Sequence, residues 1–280
     1  MRQIRKEEVF KVILQKKRTL VAVALSVIMA ILRTLVVVYN MEKNSYETST
    51  YYLPENIYVK TFDAVAVVFV LLFVMLAVSL LFSKRTNVEL DNANSTESMI
   101  LLAFTLFFAA FVCGKNILAS KEEIFGIPFV CAVLALFTGI GFLILGTRTV
   151  KKTPECSTLS LVMILPIAFS GMRLVETFLE SNAAPLASSG DYRILGLASV
   201  LIYFLYEGKS YVAKNTAVIY YLSGYFSVFF LLVYSLPNLV LHCFGAFPFD
   251  SCAAYSVADI GICAYICSRM FRAKLIRKLK

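Results

Sequence analysis

The sequence predicts an all-α, polytopic membrane bundle of about eight transmembrane helices, with both termini on the cytoplasmic side. Three observations carry this. Hydrophobic residues fill 59% of the 280 positions and charged residues only 16%, against about 45–50% and 25% in soluble domains. The mean hydropathy of +0.77 agrees, because a soluble chain could not hide so much apolar surface from water. The apolar residues are gathered into runs, most of them near the ~20 residues that a helix needs to cross a ~30 Å hydrocarbon core. Lys and Arg, finally, concentrate in alternate gaps between those runs, which is the signature of a fixed orientation.

The elements follow in order. Residues 1–18 are basic, with Ile4, Val9, Phe10, Ile13 and Leu14 at roughly helical spacing; such a segment suits the surface of anionic lipid. Thr19–Tyr39 is the first span. It is too long for a signal-peptide core and no small-residue cleavage site follows it, so it is expected to stay in the membrane. Phe62–Ser83, Met99–Ala119 and Ile124–Gly146 come next. Pro128 lies in the first turn of the fourth span, where a missing N–H is harmless. Thr158–Leu179 carries Pro166, which is expected to kink the helix below Arg173. Tyr192–Tyr206 and Ala253–Ser268 are short and read as tilted or half-inserted pieces. Ala217–Leu241, between them, is ample in length. Residues 269–280 form a second basic segment, with Phe271, Leu275, Ile276 and Leu279 among the charges. It too is expected on anionic lipid.

Placing the N-terminus in the cytoplasm puts twenty Lys and Arg residues in cytoplasmic segments and four (Lys43, Lys60, Lys121, Arg193) outside. That bias fits the positive-inside rule and requires an even number of spans. Cytoplasmic membrane of a bacterium is the expected setting. The net charge of +9 is spread along one side of the bundle rather than gathered in an aromatic-lined groove, so nucleic acid is not an expected partner.

Charges remain inside the spans. Counting at 1.5 Å per residue places Arg33 ~21 Å, Arg173 ~22 Å and Lys115 ~24 Å from the inner ends of their helices. Asp259 lies ~9 Å from the outer end of its own. Asp63 opens the second span and Glu176 is one turn above Arg173. Asn116 and His242 belong to the same outer level. Ionisable residues at membrane depth normally face the bundle interior, so these eight are expected to converge. Two readings follow. In one, Arg33, Lys115 and Arg173 pair with Asp63, Glu176 and Asp259 and fix the packing. In the other they line a site for a small polar or zwitterionic solute, with Arg as the carboxylate fork. Glu207 reads as an interfacial residue at the inner end of the sixth span.

Motifs for catalysis are missing. The paired Glu122 and Glu123 would suit an intramembrane protease, but the arginine and histidine motifs that such enzymes use do not follow. The one His has no partner for a metal, and no CxxC, GxSxG or P-loop occurs. No metal or other cofactor is expected. The chain reads as a solute-binding or transport protein, with a non-catalytic membrane subunit that works through a partner as the alternative and a lipid-modifying enzyme behind both. Cys243 and Cys252, nine residues apart in the last outer loop, are candidates for a disulfide.

The charge bias makes a direct prediction. In a chain stripped of native thiols, cysteines introduced at Ser49 and Ser188 react with an impermeant maleimide from outside, and one at Ser157 does not. Outside labelling at Ser157 would reverse the orientation.

Overall fold

The computed structural model describes residues 2–43, 57–80, 87–89, 96–120, 126–150, 161–183, 189–212, 217–245 and 250–276. Its helices are α1 (Arg2–Lys43), α2 (Ile57–Val78), α3 (Thr96–Ser120), α4 (Ile127–Val150), α5 (Ile164–Ala183), α6 (Ser189–Val212), α7 (Ala217–Cys243) and α8 (Ser251–Arg272). Six of the eight, all but α5 and α6, are long and apolar enough to cross a membrane. This fits a multi-pass membrane protein, in which helices satisfy every backbone polar group without water. Hydroxyls in the apolar helices are satisfied in the same spirit, by bonding back one turn: Ser26 donates to the Ala22 carbonyl, Thr138 to Leu134 and Ser227 to Ser223.

Neighbouring helices define a ring. α3 packs on α4, α4 on α5, α5 on α6, α6 on α7, α7 on α8, and α8 returns to α3. α1 and α2 lie outside this ring, against α7. Burial follows the arrangement: fifteen of the 27 residues of α7 are buried but only five of the 22 of α2. The exposed side of α2 is apolar, with Val67, Val68 and Met75 at 59%, 61% and 73% exposure, a surface suited to lipid rather than water.

Small residues let the ring close. Lipid tails are as apolar as Leu, so membrane helices associate through close packing, which small residues permit. A Cβ on Gly261 of α8 would stand 2.1 Å from the Thr105 hydroxyl of α3. On Gly196 of α6 it would stand 2.8 Å from Leu231 of α7. The helices across the ring approach each other less closely, and long side chains fill the space between them. In the centre, Phe142 of α4 meets Tyr265 of α8 and Phe204 of α6 with ring centroids 5.0 and 5.9 Å apart.

Up-and-down packing gives the bundle two ends. Gln15 of α1 donates to the Tyr221 hydroxyl of α7, and that hydroxyl donates to the Met270 carbonyl of α8 at 3.3 Å. The first part of α1 and the last part of α8 therefore share one end, called here the termini end; the other is the far end.

Several expectations need correction. The basic stretch from Arg2 onward is not a separate segment: it is continuous with the first span in one helix of 42 residues, ~63 Å at helical rise. The sixth and eighth runs are not short pieces. α6 and α8 have 24 and 22 residues, ~36 and ~33 Å; charged residues that are buried by pairing had cut the apolar count early. α8 is started by Asp250, whose side chain accepts from the Ala253 N–H at 3.0 Å. The fifth run is interrupted below Arg173, as Pro166 leads one to expect: Leu161 and Val162 are helical, Met163 is a turn, and α5 starts at Ile164 with Pro166 in its first turn. In the tail, Lys274–Ile276 forms a strand, β2, antiparallel to β1 (Asn87–Glu89), with Val88 opposite Leu275.

The glycine contact at the α3–α8 seam yields a prediction. Gly261→Leu forces these helices apart and lowers the melting temperature of the purified protein by the equivalent of about 1–3 kcal/mol, the usual cost of overpacking. Thr105→Ala in the same background recovers part of the loss. Equal melting temperatures for wild type and Gly261→Leu would mean that the seam is not close-packed.

Candidate functional site

At the far end, inside the ring, Arg173 of α5 reaches across to Asp259 of α8, and both side chains are fully buried. The contact is bidentate: Nη1 donates to Oδ1, and Nη2 to Oδ2 at 3.2 Å. Such a fork fits a planar carboxylate in both charge and shape. Ser235 of α7 donates to Asp259 Oδ2 at 3.1 Å. The guanidinium lies over two aromatic faces, 4.4 Å from the Tyr255 centroid and 5.6 Å from that of Phe169.

Other polar groups surround this pair. Arg193 of α6, buried, donates from Nη1 to Glu180 Oε2 at 2.9 Å and stacks over Tyr234 at 5.6 Å. Glu176 is 8% exposed and Tyr255 3%. Arg173 Nε, Arg193 Nε, Glu176 Oε2 and the Tyr255 hydroxyl are buried and make no hydrogen bond of good geometry among the described residues, although the Cys131 thiol lies beside Glu176 and the Cys113 thiol beside Tyr255. Buried polar atoms are nearly always satisfied, by protein or by something else. Asn238 adds a polar wall, donating to Ser256 Oγ at 2.8 Å and to Cys252 Sγ at 3.2 Å.

The eight expected residues do not all come together. Arg173, Glu176 and Asp259 share the ring interior. Arg33 and Asp63 form a separate site on the other side of α7, between α1 and α2. There Arg33 Nη1 is 3.8 Å from Asp63 Oδ1, its guanidinium is 4.1 Å from the Tyr192 centroid, and Tyr192 donates to Asp63 at 2.6 Å. Lys115 is exposed on the outer face of α3 and takes no part in the interior. The helical phase explains the split: equal depth on two helices does not place two side chains on facing surfaces. Asn116 donates to Ser251 Oγ at 3.2 Å, and His242 Nε2 lies 3.8 Å from Asp250 Oδ1, both at the far-end junctions of α8. The expected disulfide is not formed. Cys243 and Cys252 are free thiols, and Tyr234 and Asn238 hold the Cys252 sulfur at 3.3 and 3.2 Å.

The largest correction is at the termini end. Glu207 is fully buried rather than interfacial, and its partner Arg269, expected in the basic tail, is 1% exposed. Arg269 Nε and the Tyr265 hydroxyl both donate to Glu207 Oε1 at 2.7 Å, and Arg269 Nη2 donates to the Tyr211 hydroxyl at 2.7 Å. The Tyr203 and Tyr220 hydroxyls pair nearby at 2.8 Å. Position relative to the apolar runs misled the sequence reading here, because both charges sit where those runs end. A usable signal was present: Tyr203 and Tyr211 flank Glu207 at one helical turn, and Tyr265 precedes Arg269 by four.

Comparison of the chain with protein-family models, with characterised proteins and with solved structures finds no match, so chemistry must be read from the geometry. That geometry offers paired charges, free hydrogen-bonding atoms and aromatic faces in a closed interior. Among the described residues no group of three or more His, Cys, Asp and Glu could hold a metal ion.

The Arg173–Asp259 pair can be tested by a mutant cycle. Asp259→Leu leaves a buried guanidinium uncompensated and costs about 3–5 kcal/mol. The double variant Arg173→Leu, Asp259→Leu regains most of that stability in thermal denaturation of the detergent-solubilised protein. A double variant no more stable than the single one would dissociate the two residues energetically.

Proposed function

We propose that this protein is a multi-pass membrane carrier that binds a small polar solute in the far half of its six-helix ring. The observation that carries the reading is the group of four buried polar atoms around Arg173 and Asp259 that make no hydrogen bond of good geometry among the described residues. Binding sites combine an aromatic lining with a few convergent polar groups, and Phe169, Tyr255 and Tyr234 supply the aromatic faces here. A carrier is favoured over an open channel because the Phe142–Phe204–Tyr265 stack and the Glu207–Arg269 pair block the path to the termini end. The full reading has eight spans, with α5 and α6 crossing as a hairpin whose charges are hidden in the interior, and both termini in the cytoplasm. The Lys and Arg bias and the shared end of α1 and α8 support that arrangement.

A second reading, a non-catalytic membrane subunit, is favoured by the directness of the two interior ion pairs, which suit a structural role. It accounts for the pairs but leaves the four open atoms without purpose.

Native mass spectrometry of the full chain released from nanodiscs tests the carrier. Wild-type protein retains a non-lipid small-molecule mass. Tyr255→Phe, which removes a hydroxyl whose neighbour is the weakly bonding Cys113 thiol, lowers its occupancy while the melting temperature stays within about 2 °C, as expected when no strong hydrogen bond is lost. Lipid masses alone, with the interior thiols Cys113 and Cys131 unreactive toward a small polar thiol reagent, would overturn the proposal.

A further inference from the structure

The open atoms differ in kind, and the difference narrows the solute. Three are donors: Arg173 Nε, Arg193 Nε and the Tyr255 hydroxyl. One, Glu176 Oε2, is an acceptor. The fork of Arg173 is occupied by Asp259, and Arg193 is held by Glu180 through Nη1; the buried open donors are single Nε–H groups. A phosphate dianion wants a bidentate clamp; a monovalent carboxylate can be held by single donors from several directions.

Glu176 sets the other half. It has no ion-pair partner among the described residues, although it is more than nine-tenths buried. A lone carboxylate in an apolar interior is costly until something neutralises it. Its open oxygen calls for a hydrogen-bond donor, which a primary ammonium supplies and a quaternary ammonium does not. A bare divalent ion would need more oxygen ligands than this one carboxylate.

Arg173 is matched by Asp259 and Arg193 by Glu180, which leaves Glu176 as the buried carboxylate here with no cation in contact among the described residues. An ammonium group would supply that cation. A carboxylate on the same molecule would meet the open N–H groups of Arg173 and Arg193. We infer that the chamber takes a small zwitterion with a primary amino group, its ammonium held by Glu176 and its carboxylate by Arg193, Arg173 and the Tyr255 hydroxyl. The aromatic faces of Tyr255 and Phe169 then cover the carbon body. This inference rests on the carrier reading above and specifies its solute.

The test is a thermal-shift series on the full chain in nanodiscs, with the standard L-amino acids as probes. At least one raises the melting temperature of wild-type protein. For that amino acid, the N-acetyl derivative (no ammonium) and the decarboxylated amine (no carboxylate) each bind about tenfold or more weakly, the scale of a lost charge-assisted contact. Glu176→Gln, isosteric and with no ion pair to lose, weakens the amino acid by a similar factor but leaves the binding of the N-acetyl derivative unchanged. Undiminished binding of either derivative to wild-type protein overturns the inference, whether or not the Gln variant folds. So does a flat response to every amino acid. In that case the mass spectrum separates the two proposals: a retained mass of another kind leaves the carrier standing, and lipid alone removes both.

Discussion

A charge taken into an apolar interior must find its opposite, and the architecture of this protein turns on two such pairs. Both join α8 to the α5–α6 hairpin across the ring: Arg173 with Asp259 at the far end, Glu207 with Arg269 at the termini end. Breaking either leaves a buried charge alone, whereas a made pair with its remaining atoms satisfied is stable. Ser235 adds a hydrogen bond to the first pair, and Tyr265 and Tyr211 add theirs to the second, while Arg173 Nε and Glu207 Oε2 make none among the described residues. Because the pairs cross the interior rather than a seam between neighbours, they hold together helices whose backbones stay apart.

The seams and the interior obey different rules. Between neighbours the backbones meet, and Gly261 and Gly196 are there because no side chain fits. Dispersion over that contact is what binds helices once the hydrophobic drive has been spent on entering lipid. Across the ring the distance is set by long side chains, and those chains decide the character of each half. In the middle, Phe142, Phe204 and Tyr265 pack as an apolar stack. At the termini end Tyr265 closes on Glu207 Oε1, and Tyr203 and Tyr220 close on one another, while Glu207 Oε2 makes no hydrogen bond among the described residues. At the far end the polar groups outnumber their partners.

The architecture was largely legible in the sequence and the site only partly so. Composition and run length gave an all-helical membrane bundle, and the structure has the helices to match. Depth along the helix placed Arg173 level with Asp259, and they are bonded. The same depth placed Arg33 and Lys115 with them, wrongly, because depth is one coordinate and the helical phase is another. Glu207, Arg193 and Arg269 were misplaced for a different reason: a hydropathy reading treats a charge as the end of a span, and it cannot see a partner on another helix. A local pattern does mark the four interior residues. Each has an aromatic four positions before it: Phe169 before Arg173, Tyr203 before Glu207, Tyr255 before Asp259 and Tyr265 before Arg269. That spacing puts ring and charge on one helix face, so the ring shields the charge or stacks on it, as Tyr265 does with Arg269 at 6.0 Å. Arg33 and Arg193 lack the pattern and lie outside these two pairs.

The signs along α8 carry one more consequence. From far end to termini end α8 presents Asp259 and then Arg269, while the hairpin presents Arg173 and then Glu207. Turning α8 end for end in the ring would set Arg269 against Arg173 and Asp259 against Glu207. Both contacts would then be repulsive and buried, which is the most expensive place for like charges. An α8 shifted by one turn would lose both pairs together, because ten residues separate Asp259 from Arg269 on a rigid helix, ~15 Å that a slip cannot change. Apolar packing alone discriminates poorly between such alternatives, since Leu against Leu is much the same in either direction. Two pairs of opposite polarity therefore fix the direction and register of the helix that closes the ring. Specification of this kind, rather than added stability, is the best-attested use of buried polar groups. The far-end pair serves this role beside buried polar atoms of Glu176, Arg193 and Tyr255 that make no hydrogen bond of good geometry among the described residues.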